Sequence, residues 1–269
     1  MINLLGMLKS EVTEMIFDSH AHYDDGAFDE DREELLGKMK ENGISHIVNV
    51  GANIESTRNS IALGKKYDYI YAAAGVHPSD AAELNEDNYQ ELCRLMDEEK
   101  VVAVGEIGLD YYWDEPDRKI QKEWFARQLS TAKEKNKPII IHSRDAAADT
   151  LDIIKAENPW DTGGVIHCFS YSVEIAREYL NKGYYIGIGG VLTFNNAKKL
   201  KEVAEYTPLE QIVLETDCPY LAPVPNRGKR NSSLNLTYVA DMLAQIKGID
   251  RAKVEEITCE NAKKLYRIV

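Results

Sequence analysis

Short β-branched apolar runs alternate with longer amphipathic stretches from one end of this chain to the other. Eight runs predict strands: Met15–Asp18, Ser45–Val50, Ile70–Gly75, Val101–Gly105, Pro138–Ile141, Gly164–Cys168, Tyr184–Ile188 and Gln211–Leu214. The segments between them predict helices: Asp29–Asn42, Ile54–Lys66, Glu86–Glu98, Asp117–Lys135, Asp145–Glu157, Ser172–Asn181 and Asn195–Ala204, with Ser232–Ile246 after the eighth strand. Alternating β and α without a block of consecutive strands implies a parallel sheet. Most of the strands are continuously apolar, as strands covered on both faces are. Eight such units in 269 residues point to an α/β chain closed into a (β/α)8 TIM barrel. An extra C-terminal helix, Arg251–Arg267, is expected to pack on the outside. An N-terminal appendage over residues 1–14, with Met15 as an alternative start, precedes a single domain over residues 15–269.

An open doubly wound sheet would carry a glycine-rich fingerprint after an early strand. Gly187-Ile188-Gly189-Gly190 does not supply it, because Leu192 fills the last required glycine position. No phosphate-cradling G-x-x-x-x-G-K-[ST] occurs either. No run is apolar for the 18 or so residues of a membrane helix, and the N-terminus lacks a basic region and a cleavage site. A cytoplasmic protein that contacts no membrane is therefore expected. Cys93, Cys168, Cys218 and Cys259 are scattered and form no Cys-x-x-Cys pair, so reduced thiols fit. The Asn-x-Ser/Thr matches at Asn231 and Asn235 are then chance.

Charge narrows the partners. With 32 basic and 45 acidic residues the net charge is −13, which argues against a protein that coats nucleic acid non-specifically. It leaves room for a local basic cleft.

The informative pattern is where the metal-competent side chains fall. His20 and His22 follow the first strand, His77 the third, Glu106 the fourth and His142 the fifth; His167 ends the sixth, and Asp217 follows the eighth. In a barrel those carboxyl ends converge on one face, the face that carries catalysis. His20 and His22 are an i, i+2 pair, and in an extended segment both point to the same side. His46 lies at the opposite end of its strand and is read as structural. Neutral imidazoles and carboxylates suit zinc, manganese, iron or magnesium. Six ligand candidates (His20, His22, Glu106, His142, His167 and Asp217) exceed what one ion takes. They suggest two divalent ions sharing a carboxylate and holding a hydroxide between them, about 3.5–4 Å apart.

These motifs resemble those of the TatD family of metal-dependent nucleases, within the amidohydrolase-like barrels. The resemblance rests on Asp18-Ser19-His20-Ala21-His22, Gly75-Val76-His77-Pro78, Gly105 through Tyr111, His142-Ser143-Arg144-Asp145-Ala146, His167-Cys168-Phe169-Ser170, Leu214 through Leu221 and Arg227-Gly228-Lys229-Arg230-Asn231. It implies His20, His22 and Asp217 on one ion, Glu106 bridging, and His142 and His167 on the second. It also implies a DNase, often a 3′→5′ exonuclease on single-stranded DNA, with two divalent ions (Mg, Mn or Zn). The chain departs from the resembled pattern after Arg230, with Asn231-Ser232-Ser233 in place of Asn-Glu-Pro.

The expected chemistry is phosphodiester hydrolysis by a metal-bound hydroxide. Asp217 is read as the proton acceptor, with Glu106 between the ions and His77 contacting the phosphate or helping the leaving group. Arg144, Arg227, Lys229 and Arg230 are the candidate phosphate-binding cations. Tyr111, Tyr112, Trp113 and Phe169 are candidates to stack on bases. A monomer is the default. Two other readings stay open. The same cup can hydrolyse a carboxylic ester or amide, such as an aminoacyl–tRNA bond, since a barrel alone does not fix the reaction. Structural ions in a binding scaffold would usually sit in closed, cysteine-rich sites, which this chain lacks.

Overall fold

The computed structural model describes residues 15–113 and 115–269; the expected appendage over residues 1–14 lies outside the described residues. Eight strands lie side by side in chain order, each parallel to the next. They are β1 (Ile16–Ala21), β2 (Ile44–Val50), β3 (Ile70–Ala74), β4 (Val101–Asp110), β5 (Ile139–Arg144), β6 (Gly164–Ile166), β7 (Tyr185–Ile188) and β8 (Ile212–Leu214). The sheet rolls into a nearly closed barrel. Its last seam is a single parallel bridge between Ala21 and Cys218. Two flanking hydrogen bonds reinforce it: the Asp217 N–H donates to the His20 carbonyl (3.0 Å) and the His22 N–H to the Cys218 carbonyl (2.9 Å).

Helices α1 (Arg32–Gly37), α2 (Ile54–Lys66), α3 (Glu86–Leu95), α4 (Arg118–Glu134), α5 (Ala147–Glu157), α6 (Val173–Leu180), α7 (Lys198–Tyr206) and α8 (Leu236–Lys247) cover the outside. Their starts are marked by short polar side chains: Asn53 accepts the Ser56 N–H ahead of α2, and Asn85 and Asn88 close a reciprocal capping box on α3. The helix expected over Asp29–Asn42 is shorter. It ends at Gly37, a poor helix former, and the chain resumes as a 3₁₀ turn over Lys40–Asn42.

The last helix, α9 (Arg251–Tyr266), corrects an expectation. It lies not on the outside wall but across the amino-terminal mouth of the barrel. Cys259, Ala262, Leu265 and Tyr266 share one buried cluster with the strand residues Phe17, Val48, Ala73, Ala103, Ile140, Val165 and Val213. Asn261 donates to the Leu209 and Ile212 carbonyls at the foot of β8, and Arg267 reaches the carbonyls of Asn136 and Thr162 below β5 and β6. Helix α9 therefore seals the floor, and the carboxyl-terminal mouth is left as the open end. Among the described residues no helix is long and apolar enough to cross a membrane.

Candidate metal centre

Two strands bring their candidate ligands inward by a break in register. Phe17 belongs to the floor cluster, so strict alternation would turn Ser19 inward and both His20 and His22 outward. The β1–β2 register shifts between Asp18 and Ala21, and the two histidines face the barrel axis. Likewise Ala103 is a floor residue, and a register shift between Val104 and Ile107 turns Glu106 inward instead of its neighbour. Gly108 sits at φ +150°, where a Cβ would lie 1.9 Å from the His142 carbonyl oxygen, so only glycine fits this crossing of β4 and β5. On β5, β6 and after β8 plain alternation suffices: Ile140 and His142, Val165 and His167, Val213 and Glu215 are i, i+2 pairs.

The side chains converge tightly. His20 Nε2 lies 3.1 Å from His22 Nε2 and 3.4 Å from Glu106 Oε2. His22 Nε2 lies 3.4 Å from Asp217 Oδ1. Glu106 Oε1 is 2.8 Å from His142 Nδ1, 3.5 Å from His167 Nε2 and 3.8 Å from His77 Nε2. Three groups of ligand atoms each gather within 4.8 Å: His20, His22 and Asp217; His77, Glu106 and His142; His20, His167 and Glu215. All six ligand candidates are thus brought together, and His77 joins them. The grouping pairs His142 with His77, while His167 stands beside His20, their rings stacked 3.7 Å apart.

Electrostatics explain why these groups tolerate burial together. Burial pushes the Glu106 carboxyl up, but His167, His20 and His77 and the His142 hydrogen bond outweigh it and hold the group well below the usual carboxylate range. Burial also opposes charge on His22, yet the bond to Asp217 and the charges of Asp217 and Glu106 lift it to about 9. Burial and the neighbouring His142 drop His77 to about 4.

The donor set fits divalent cations. His22 Nδ1 lies 2.8 Å from the Val50 carbonyl, an acceptor only, so in the neutral ring Nε2 presents its lone pair to the centre. Four imidazoles with Glu106 and Asp217 form the mixed nitrogen and oxygen set such ions take. Among the described residues His20 Nδ1 and Glu215 Oε2 are buried without a hydrogen-bond partner, a costly arrangement unless a ligand satisfies or orients them.

Two carboxylates were missed by the sequence reading. Asp110 Oδ2 lies 3.1 Å from His142 Nε2, and Glu215 Oε1 lies 3.2 Å from His167 Nδ1 while accepting the Cys168 N–H. A Cβ on Gly187 would sit 2.4 Å from Glu215 Oε2, so that glycine makes the space for this carboxylate. Period two was the available signal: Asp110 is four residues beyond Glu106 on one strand, and Glu215 is two before Asp217.

The mouth opens as a cavity of about 730 Å³ lined by His22, His77, Glu106, His142, His167 and Asp217. Arg144 and Trp113 stand on one side, and Arg144 lies over the Tyr112 ring at 3.7 Å. Asp24, Asp25 and Tyr220 also line it. The structure does not bring the other expected phosphate cations here. Arg230 is held by Asp31 (Nη1 to Oδ1, 2.8 Å) and by the Ala27 carbonyl, Arg227 lies over Phe194, and Lys229 is not among the cavity-lining residues. Phe169 is buried and Tyr111 donates to Asp149, which leaves Trp113 as the cavity's aromatic face from the expected set. His46 lies away from the cavity, stacked on Phe17 with ring centroids 5.2 Å apart.

The family model of TatD related DNases matches residues 17–267. The chain belongs to the TatD family. It is 44% identical over 254 residues to the uncharacterised metal-dependent hydrolase YabD of Bacillus subtilis, covering 94% of this chain and all of that one. It is 33% identical to the 3′-5′ ssDNA/RNA exonuclease TatD of Cronobacter sakazakii, over 93% of this chain and 97% of that one. The crystal structure of YjjV, a TatD homologue from Escherichia coli K12, superimposes with a TM-score of 0.87 at 30% identity, covering 94% and 98% of the two chains. The protein is accordingly a TatD-family metal-dependent hydrolase on a TIM barrel.

This TatD chain uses its departure from the resembled Asn-Glu-Pro pattern structurally. Ser233 Oγ donates to Asp18 Oδ2 (2.6 Å), and the Ser233 N–H donates to the Tyr23 hydroxyl (2.8 Å), a bond that proline has no hydrogen to make. Asp18 in turn accepts from the Thr216 N–H and hydroxyl, which ties the His20 segment to the Asp217 loop. Glu215 has a testable part in the same TatD framework. A carboxylate behind a ligand histidine fixes its ring, and removing such a partner costs about 10–100-fold in metal affinity. Glu215→Gln should show that loss in a chelator-competition titration with its circular dichroism unchanged; unaltered affinity would leave Glu215 no positioning role.

Proposed function

We propose that this hydrolase cleaves phosphodiester bonds at the end of a single DNA strand, removing nucleotides in the 3′→5′ direction with two divalent ions. The observation that carries the reading is the convergence of His20, His22, Glu106, His142, His167 and Asp217 at an open mouth beside Arg144. Glu106 lies between the two sets of histidines and is suited to bridge two ions. Ions held there would acidify a water molecule and offset charge growing on the phosphate oxygens. Asp217, more exposed than Glu106, is suited to accept that water's proton on its carboxylate oxygen. His77 supplies a donor. Its Nδ1 accepts the Ser79 N–H, so the neutral ring carries its proton on Nε2, which faces the centre and suits a phosphate oxygen. Arg144 adds a cation whose planar head can grip the phosphate bidentately. The Cronobacter relative, a 3′-5′ ssDNA/RNA exonuclease, supports single-strand action and direction.

The test is a time course on oligonucleotides labelled at the 3′ or the 5′ end, with magnesium or manganese and a chelator control. The expected result is stepwise shortening from the 3′ end that stops with chelator and resumes when metal returns. No cleavage with any divalent ion, by a protein shown to bind metal, would overturn the reading and direct the search to aminoacyl esters.

A further inference from the structure

A second cavity, of about 350 Å³, lies beside the metal cleft among the segments that follow β6, β7 and β8. Its walls are largely apolar and include Phe169, Val191, Ala197, Leu200 and Leu221. Asp217 lines both cavities, so the chamber meets the metal centre at the residue assigned to take the proton. Cys168, next to His167 in the chain, also lines the chamber. Lys198 and Lys199, both exposed, line the chamber where α7 begins.

The proposed mechanism leaves this chamber unused. A concave apolar space of this size with a few polar groups at its edge is the form that small-molecule sites take. The sugar–phosphate backbone of a nucleic acid has no reason to enter it, since burying a phosphate among apolar walls is costly. A base has: its faces are apolar and stack on aromatic and aliphatic surfaces. The two lysines offer positive charge where the polyanion would turn towards the metals. A base within a duplex would have to leave its stack to enter, whereas the last base of a single strand is already free.

We propose that this chamber receives the base of the terminal nucleotide while that nucleotide's phosphate lies at the metal centre across Asp217. The proposal rests on the phosphodiesterase reading and deepens it, because it makes the released nucleotide the recognised unit.

The test compares two oligonucleotides that differ only in the terminal residue, a natural nucleotide or an abasic tetrahydrofuran, placed at the end from which cleavage proceeds. Wild-type protein should show kcat/KM about tenfold or more lower on the abasic end. Ala197→Trp and Val191→Phe, two independent fillings of the chamber, should each erase most of that difference. Both should leave kcat/KM on the abasic end within about twofold of the wild-type value. Equal rates on the two ends, or a parallel loss on the abasic end, would overturn the proposal. If no oligonucleotide is cleaved, the phosphodiesterase reading fails, and equilibrium binding to metal-loaded protein still decides the chamber. Deoxyadenosine monophosphate should bind tighter than deoxyribose 5-phosphate, and Ala197→Trp should abolish the preference. Equal binding of the two by wild-type protein overturns the assignment.

Discussion

Asp217→Asn should lower kcat by about 10²–10⁴-fold, the range expected when a positioned proton acceptor is lost. Asparagine is the informative replacement for a backbone reason. Asp217 sits at φ +56°, in the left-handed region that aspartate and asparagine tolerate better than most residues. The turn is therefore preserved, and the hydrogen bond from the Asp217 N–H to the His20 carbonyl needs no side chain. What changes is the negative charge beside His22 and the capacity to accept a proton. Single-turnover rates on a labelled oligonucleotide, with thermal melting as the fold control, measure the effect. A variant that melts normally and turns over at near the wild-type rate would remove Asp217 from the mechanism.

Tyr266→Ala should destabilise the protein by about 3–5 kcal/mol, the usual cost of deleting a large buried aromatic ring. Tyr266 is 2% exposed, its ring centroid lies 5.9 Å from that of Phe17, and its hydroxyl donates to the Ser19 carbonyl. Helix α9 plugs the floor through this residue and through Leu265 and Ala262, so truncation opens a void directly beneath the strand that carries His20 and His22. Tyr266→Phe isolates the hydroxyl and should cost about 1 kcal/mol. Urea unfolding monitored by tryptophan fluorescence gives both values. A loss below 1 kcal/mol for Tyr266→Ala would mean that the floor is held by other contacts.

The barrel was legible because parallel strands covered on both faces are continuously apolar, a pattern that survives without knowledge of partners. Runs such as Ile139-Ile140-Ile141 declare themselves, and the ligand histidines stand where such runs stop. The apolar signal misplaced the ends of the strands that bear chemistry. Strand β4 runs on to Asp110, beyond the expected Gly105, because Glu106 and Asp110 are polar residues turned inward towards histidines that the sequence keeps far away. Register breaks in β1 and β4 were not legible either, since alternation is a local rule and the break is set by pairing with the neighbouring strand. The basic run after β8 misled for a similar reason. Arg230 is claimed by Asp31, a partner 199 residues away, and a charge is read correctly only when its neighbours are known. Helix α9 has an amphipathic pattern, which tells that one face is covered but not that the cover is the barrel floor.

The seam between β8 and β1 has a consequence for when the enzyme becomes competent. His20 and His22 lie in and just after the first strand, and Asp217 follows the last, across a junction made of a single bridge, its flanking backbone hydrogen bonds and the Asp18–Thr216 pair. Nearly two hundred residues separate these candidate ligands. A chain still emerging from the ribosome, or one truncated before β8, carries the histidines and Glu106 but lacks Glu215 and Asp217. On the proposed mechanism the proton acceptor thus arrives only after the final strand, and an unfinished polypeptide is silent by its topology.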